Sequence, residues 1–236
     1  MGQATLSKKT YTIGLILKLG TILSCCLGLY FQVIEWQSVF FGPNSTFLYF
    51  TTQSNIWIAA ICLVFLIIDL RSKGNRQVSN WLYVVKFMFT VAIMLTFIVF
   101  AVLLTPQQEM DYLISGTNIC LHNLTPIFAI IDFILCDYGY LSSKKHILLG
   151  TILPILYFIV TLILSFNGVG YGDDRIVPYF FLDYKKLGWL SVGDNGIGVI
   201  YWVIIISFMV LAMGASLLGI KYLRAKGSMS KTQEYN

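Results

Sequence analysis

Charged residues are scarce in this chain. Asp, Glu, Lys and Arg make up 11% of the 236 residues, whereas hydrophobic residues make up 57% and the mean hydropathy is +0.77. A soluble globular domain carries about 25% charged residues. The deficit excludes an ordinary soluble domain and predicts a membrane protein.

Metal-ligating side chains are few as well. The chain has two histidines and five cysteines. The cysteines lie within hydrophobic stretches and lack metal-ligand spacing, so we expect them to be small apolar fillers. They are Cys25, Cys26, Cys62, Cys120 and Cys136. We predict no metal and no other cofactor. The net charge is +5. The distribution of the basic residues indicates membrane topology rather than a nucleic-acid-binding patch, so we expect no nucleic-acid partner.

Six long hydrophobic runs are present. Each has about 20 or more mostly apolar residues, the length that a helix needs to cross about 30 Å of hydrocarbon. Strands of a membrane barrel are about ten residues long and alternate, so these runs indicate helices. The runs cover residues 11–31, 48–69, 82–104, 117–137, 147–167 and 196–220. The sequence therefore predicts one all-α domain over residues 1–236, a polytopic integral membrane protein with six transmembrane helices.

The basic residues predict its orientation. With the N-terminus inside, the inner segments hold eleven Lys and Arg and the outer loops hold three. The eleven are Lys8, Lys9, Arg71, Lys73, Arg76, Lys144, Lys145, Lys221, Arg224, Lys226 and Lys231, and the three are Arg175, Lys185 and Lys186. Because cytoplasmic loops carry the excess of Lys and Arg, we predict that both termini are cytoplasmic and that the protein is a multi-pass protein of the cell membrane.

Charged residues nevertheless fall inside the first four hydrophobic runs. Lys18, Asp69, Lys86 and Asp132 lie toward the inner ends of the first four. Such charges are costly unless they pair or snorkel to the surface. We predict a structural ion-pair cluster, with Lys86 and Asp69 near enough to the surface to snorkel. A proton or ion path is the alternative.

The longest connection, residues 168–195, is rich in glycine and aromatic residues. On the outer side, so much apolar surface should lie on the bilayer or cover a pocket. An interfacial aromatic belt and a lid are both open interpretations.

Thr51 and His122 form the most informative pair of positions. Both lie in hydrophobic runs that start on the outer side, Thr51 about one helical turn below the surface and His122 about one and a half turns below. The side chains therefore differ in depth by only a few Å. A hydroxyl and an imidazole that meet can act as nucleophile and general base.

The neighbours of this pair fit a reactive site. Asn55 shares the helix face of Thr51, and Asn118 and Pro126 share the face of His122. Pro126 should kink its helix and free the carbonyl of His122, which opens space beside the imidazole. Four polar side chains are candidate donors to an oxyanion or to substrate: Gln53, Asn55, Asn118 and Asn123.

Plain packing explains such residues too. A threonine in a membrane helix commonly bonds its own i−4 carbonyl, and a lone histidine can serve as an interhelical donor. Thr52 adds a second hydroxyl next to Thr51.

The chain resembles the androgen-induced-gene family of six-span membrane hydrolases. The resemblance rests on Tyr49-Phe50-Thr51 and on His122 four residues before Pro126. Two further segments, Phe50 to Asn55 and Val177 to Asp183 with Gly188-Trp189 after it, are similar to its bacterial branch. Enzymes of this family split fatty acid esters of hydroxy fatty acids without a metal. The resemblance implies a threonine nucleophile at Thr51, a histidine partner at His122 and a location in the bacterial plasma membrane.

The sequence thus predicts a membrane-embedded, metal-independent hydrolase of lipid esters with a Thr51–His122 dyad and a fatty-acyl ester as substrate. The rival hypothesis is a non-catalytic lipid binder, or a transporter of a small molecule or ion, in which the same polar patch holds a ligand.

Overall fold

The structure is a computed structural model that describes residues 2–36, 45–171, 175–194 and 196–233. Six helices in these ranges are long and apolar enough to cross a membrane, and we number them span 1 to span 6. They are Lys8–Glu35, Phe50–Ser72, Asn80–Gln107, Gly116–Cys136, His146–Phe166 and Val199–Arg224. The predicted all-α, polytopic class is confirmed, and each end lies within a few residues of its predicted position.

Three of the spans are built from more than one helical segment. Span 3 joins an α-helix (Asn80–Val99), a π-helix (Phe100–Leu104) and a 3₁₀ turn (Thr105–Gln107). Span 4 joins a short α-helical turn (Gly116–Asn118), a π-helix (Ile119–Leu124) and an α-helix (Thr125–Cys136). Span 5 joins His146–Leu149 and Ile152–Phe166.

The remaining described elements are single helices, short turns and strands. Span 1 lies in the helix Lys8–Trp36, span 2 is the helix Phe50–Ser72, and span 6 is the first part of the helix Val199–Gln233. The short elements are the 3₁₀ turns Thr46–Leu48 and Phe180–Leu182 and the α-helical turns Met110–Leu113 and Tyr184–Leu187. Two antiparallel strand pairs join β1 (Gly2–Thr5) to β2 (Asn75–Val78) and β3 (Val192–Gly193) to β4 (Gly196–Ile197).

Spans 1 to 4 form the centre of the bundle. Span 1 packs against spans 2 and 4, while span 3 packs against spans 2, 4, 5 and 6. At Gly28 of span 1 an added Cβ would lie 2.5 Å from the side chain of Leu121. Glycine therefore lets span 1 approach the π-helical part of span 4, directly beside His122.

The charges inside the bundle form one closed cluster. Lys18 binds Asp132 at 2.7 Å and Asp69 at 3.3 Å, and Lys86 binds Asp132 at 2.6 Å. Lys86 also binds Asp137 at 2.7 Å. All of these side chains are fully buried, so the prediction that Lys86 and Asp69 snorkel is wrong. The physical reason is that oppositely charged side chains lie within reach, which makes pairing possible inside the bundle.

The sequence did not place Arg76 in this cluster. Arg76 lies in the short connection between spans 2 and 3, as expected, but on β2 it is buried, with its guanidinium on Asp69 and on Asp137 at 3.0 Å. Burial alone would lower the pKa of Arg76, and the two carboxylates more than reverse this, so that its pKa is raised. Among the described residues the cluster holds three cations and three carboxylates and is neutral as a whole: Lys18, Arg76, Lys86, Asp69, Asp132 and Asp137.

Candidate active site

Thr51 and His122 meet at the end of the bundle opposite the charge cluster. The Thr51 hydroxyl lies 3.4 Å from Nε2 of His122. His122 is 5% exposed, and its Nδ1 has no hydrogen-bond partner among the described residues. The distance is slightly long for a catalytic hydrogen bond, as is common before substrate binds. The depth match expected from the sequence therefore becomes a direct side-chain pair.

The start of span 2 positions Thr51. The helix begins at Phe50, after an extended residue, Tyr49, whose side chain does not cap it. Thr51 thus lies in the first turn, where backbone N–H groups have no partner inside the helix. The hydroxyl of Tyr157 in span 5 donates to the carbonyl of Leu48 at 2.9 Å and holds the chain just before this turn.

A π-helix positions His122. Thr125 donates its backbone N–H to the carbonyl of Cys120, five residues earlier, and the π-helical segment ends at the turn that contains Pro126. In this register the backbone N–H of residue 126 would donate to the carbonyl of Leu121, but proline has no N–H. The carbonyl left without a backbone donor is therefore that of Leu121, and not that of His122 as the sequence suggested. Asn55 replaces the missing donor, since its side-chain N–H donates to Leu121 at 3.1 Å.

An aromatic ring fixes the imidazole. The ring of Phe100 stacks on His122 with centroids 3.8 Å apart and planes 19° from parallel. Phe100 opens the π-helix of span 3, so the two π-helical segments meet face to face at this contact. π-Helical turns occur frequently at functional sites. Stacking thus orients His122 where no carboxylate contacts it in the described part of the chain.

The second threonine is directed elsewhere. The Thr52 side chain is buried and its hydroxyl donates to Oε1 of Gln32 in span 1 at 3.5 Å. Successive residues of a helix point about 100° apart, which explains why only Thr51 faces span 4.

The four polar side chains expected to be donors bind main-chain carbonyls. Asn55 donates to Thr51 at 2.8 Å as well as to Leu121, and Gln53 donates to Phe47 at 2.9 Å. Asn118 donates to Leu113 at 2.7 Å, and Asn123 donates to Asn118 at 3.2 Å. Gln53 turns back toward the chain before span 2, and none of the four side chains lines either of the cavities described next.

Two cavities meet at Thr51. One, of about 410 Å³, is lined by apolar side chains of spans 2, 3, 5 and 6. The other, of about 610 Å³, contains His122 and polar side chains such as Gln107, Arg175 and Lys186. Thr51, Leu104 and Tyr179 line both cavities. An amphiphilic molecule that occupied both would have its junction at the Thr51 hydroxyl.

The long connection between spans 5 and 6 covers the site. Val177, Pro178 and Tyr179 line the polar cavity, and Phe181 and Leu182 line the apolar one. The hydroxyl of Tyr179 accepts the backbone N–H of Thr51 at 3.4 Å. Desolvation by burial raises the pKa of Tyr179 to about 12, so its phenol is neutral at physiological pH. Of the two interpretations left open, an interfacial aromatic belt and a lid, the contacts of these residues fit a lid over the site. Residues 172–174 and 195 of the connection lie outside the described residues.

Sequence reasoning missed Tyr179 and Phe100 as members of the site. Tyr179 lies in a connection that is evidently rich in aromatic residues, but its distance along the chain from Thr51 does not predict a contact between them. Phe100 is one of 17 phenylalanines, and an apolar residue in a membrane helix carries no signal of such a role.

Groups of three or more His, Cys, Asp or Glu that could hold a metal ion do not occur among the described residues. Comparison with models of protein families, with curated proteins and with solved structures finds no match for this chain. The family resemblance of the sequence therefore stays a prediction, and the site is interpreted from its own geometry.

Proposed function

We propose that this protein is a membrane-embedded hydrolase of lipid esters, with Thr51 as nucleophile and His122 as general base. The observation that carries the proposal is the hydroxyl–imidazole pair, 3.4 Å apart, at the junction of an apolar and a polar cavity. Neither a lone interhelical hydrogen bond nor a packing threonine requires such cavities.

The reaction would follow the usual course of acyl transfer. The acyl chain lies in the apolar cavity, and the alcohol portion, with its polar groups, lies in the polar cavity. His122 Nε2 takes the Thr51 proton as Oγ1 bonds to the ester carbonyl carbon. When the ester C–O bond breaks, the imidazolium returns the proton to the leaving alkoxide, and water then hydrolyses the acyl-enzyme by the same steps in reverse.

The substrate class we favour is a fatty-acyl ester of the kind split by the family that the sequence resembles, fatty acid esters of hydroxy fatty acids. The two cavities support an amphiphile with one apolar arm and one polar arm. The bilayer is the expected source of substrate. Span 5 lines the apolar cavity, and the face that it turns away from the bundle is largely exposed, including Ile155 and Ile159. The chain would then act in lipid metabolism at the cell membrane.

The test is ester hydrolysis by purified protein in detergent, with p-nitrophenyl octanoate and a long-chain fatty-acyl ester as substrates. Thr51→Ala and His122→Ala should each lower kcat/KM by at least about 10³-fold, and the double variant should be little worse than either, because residues that act as a unit are not additive. Thr52→Ala is the matched control, since its hydroxyl faces span 1.

Near-normal hydrolysis by Thr51→Ala, or single effects that add in free energy, would contradict the dyad. A chain that hydrolyses no ester but binds lipid or carries a proton-linked flux would favour the binder or transporter hypothesis instead.

A further inference from the structure

Tyr179 is the only polar residue besides Thr51 that lines both cavities among the described residues. An ester at Thr51 must place its carbonyl between the acyl arm and the alcohol arm, and so at the same junction. The phenol therefore lies where negative charge develops during attack.

The ring of Tyr179 is held on several sides. It stacks on Phe181, with centroids 5.3 Å apart and planes 3° from parallel. Tyr49 packs against it in a T-shaped pair with centroids 6.2 Å apart, and the tilted ring of Tyr157 lies 6.3 Å away between centroids. Pro178 precedes it and restricts the backbone. Donors that are fixed before the reaction stabilise a transition state without reorganisation.

The phenol oxygen of Tyr179 lies beside the residue proposed as nucleophile. It accepts the Thr51 backbone N–H at 3.4 Å, and a phenol oxygen that accepts a hydrogen bond still has its own O–H to donate. When Oγ1 of Thr51 attacks a carbonyl, the phenol O–H is close enough to that junction to donate to the carbonyl oxygen.

Other candidate donors are less suitable. Both side-chain N–H groups of Asn55 are used on Thr51 and Leu121 carbonyls. Gln53 and Asn118 donate away from the junction.

We infer that Tyr179 is a catalytic residue that donates its phenol hydrogen bond to the ester carbonyl oxygen and to the oxyanion formed from it. The inference rests on the proposed function. In the step, the C–O bond between Thr51 and the carbonyl carbon forms, the carbonyl π pair moves to oxygen, and the Thr51 proton moves to His122. Tyr179 keeps its proton throughout, and collapse of the adduct expels the alkoxide.

The experiment compares Tyr179→Phe with Tyr184→Phe in purified protein. Tyr184 lies in the same connection, and its hydroxyl pairs with Ser165 at 3.1 Å, but it lines neither cavity. Tyr179→Phe should lower kcat for p-nitrophenyl octanoate by about 10²-fold or more, the usual effect of removing one oxyanion donor. KM and the inhibition constant of octyl p-nitrophenyl ether should stay within about twofold of the parent values, because the ether has no carbonyl to become an oxyanion. Tyr184→Phe should retain the parent kcat.

A kcat within about threefold of the parent in Tyr179→Phe, with Thr51→Ala inactive, would overturn the role of Tyr179 and leave the hydrolase intact. An equal loss of ether binding would also overturn it, since that would show a structural or ground-state role. Thr51→Ala with normal hydrolysis would overturn the proposed function itself.

Discussion

Asn55 links the two halves of the site at the scale of one residue. Its amide bonds the carbonyl of Thr51 in its own helix and the carbonyl of Leu121 in span 4. The second bond fills the position that Pro126 leaves without a donor. One side chain thus sets the distance between the helix that carries the hydroxyl and the helix that carries the imidazole.

We expect Asn55→Ala to lower the free energy of unfolding by about 1–3 kcal/mol, because it leaves a buried carbonyl without its partner. Hydrolysis should fall as well, since the 3.4 Å contact between Thr51 and His122 depends on the same spacing. The measurements are the thermal unfolding midpoint and kcat.

The matched control for this prediction is Asn167→Ala. Asn167 donates to the carbonyl of Ile163 in its own helix at an exposed position, so its loss should change both quantities little. An Asn55→Ala protein as stable and as active as the parent would show that the link between spans 2 and 4 does not depend on this amide.

At the scale of the element, two π-helical segments position side chains of the site. They carry Phe100 and His122, whose rings stack at 3.8 Å. Phe100 is the first residue of one π-helical segment and His122 lies inside the other, so the contact between the rings lies where the two segments meet. For span 4 we expect an α-helical form of the segment to change the direction of the imidazole.

We expect Pro126→Ala to favour the α-helical form of span 4, because alanine restores the N–H that proline lacks. The change should lower kcat by about 10²-fold through misplacement of His122, while the unfolding midpoint stays the same or rises. Pro106→Ala is the control, since Pro106 lies in the first turn of a short 3₁₀ segment and lines neither cavity. A Pro126→Ala protein with the parent kcat would place the origin of the π-helix elsewhere.

Different parts of this architecture were accessible from the sequence to different degrees. The six spans follow from runs of apolar residues, and the similar depth of Thr51 and His122 follows from helices that start on the same side. Their contact depends in addition on how spans 2 and 4 pack. The π-helices could not be predicted from the sequence, because they depend on tertiary packing and the pattern of apolar residues does not indicate the i→i−5 hydrogen-bond register. Arg76 and Asp137 were missed because charges near a helix end normally reach water, whereas here the pairing of β1 with β2 accompanies their burial.

The charge cluster acts at the scale of the whole molecule, because it ties spans 1, 2, 3 and 4 together through six buried side chains. Removal of one member leaves its partners uncompensated, at a cost of about 3–5 kcal/mol. For Asp132→Asn we expect the lower part of this range, since Lys18 and Lys86 keep Asp69 and Asp137 as partners.

Asp132→Asn should therefore lower the unfolding midpoint clearly, and kcat at a temperature where the protein stays folded should match the parent. Asp111→Asn, at an exposed position outside the spans, is the control and should change neither. Unchanged stability together with loss of a proton-linked flux would favour the transport hypothesis over the structural one.

Orientation in the membrane is the second whole-molecule prediction. The excess of Lys and Arg predicts that the loop containing Ser143 is cytoplasmic and that the loop containing Glu109 is outside. Both residues are exposed, so single cysteines there can be tested with an impermeant thiol reagent on intact cells, with the parent chain as background. We expect labelling at Glu109→Cys only. Labelling at Ser143→Cys alone would place the dyad on the cytoplasmic side.

The π-helix around His122 also bears on how this chain should be compared with others. A π-helical turn holds one residue more than the α-helical ladder around it requires. A related sequence that has gained or lost a residue between Ile119 and Leu124 could keep its flanking helices in place and change only the direction of the imidazole. Alignments that forbid gaps inside membrane helices would then shift His122 against its true counterpart, so this turn is where a gap should first be tried.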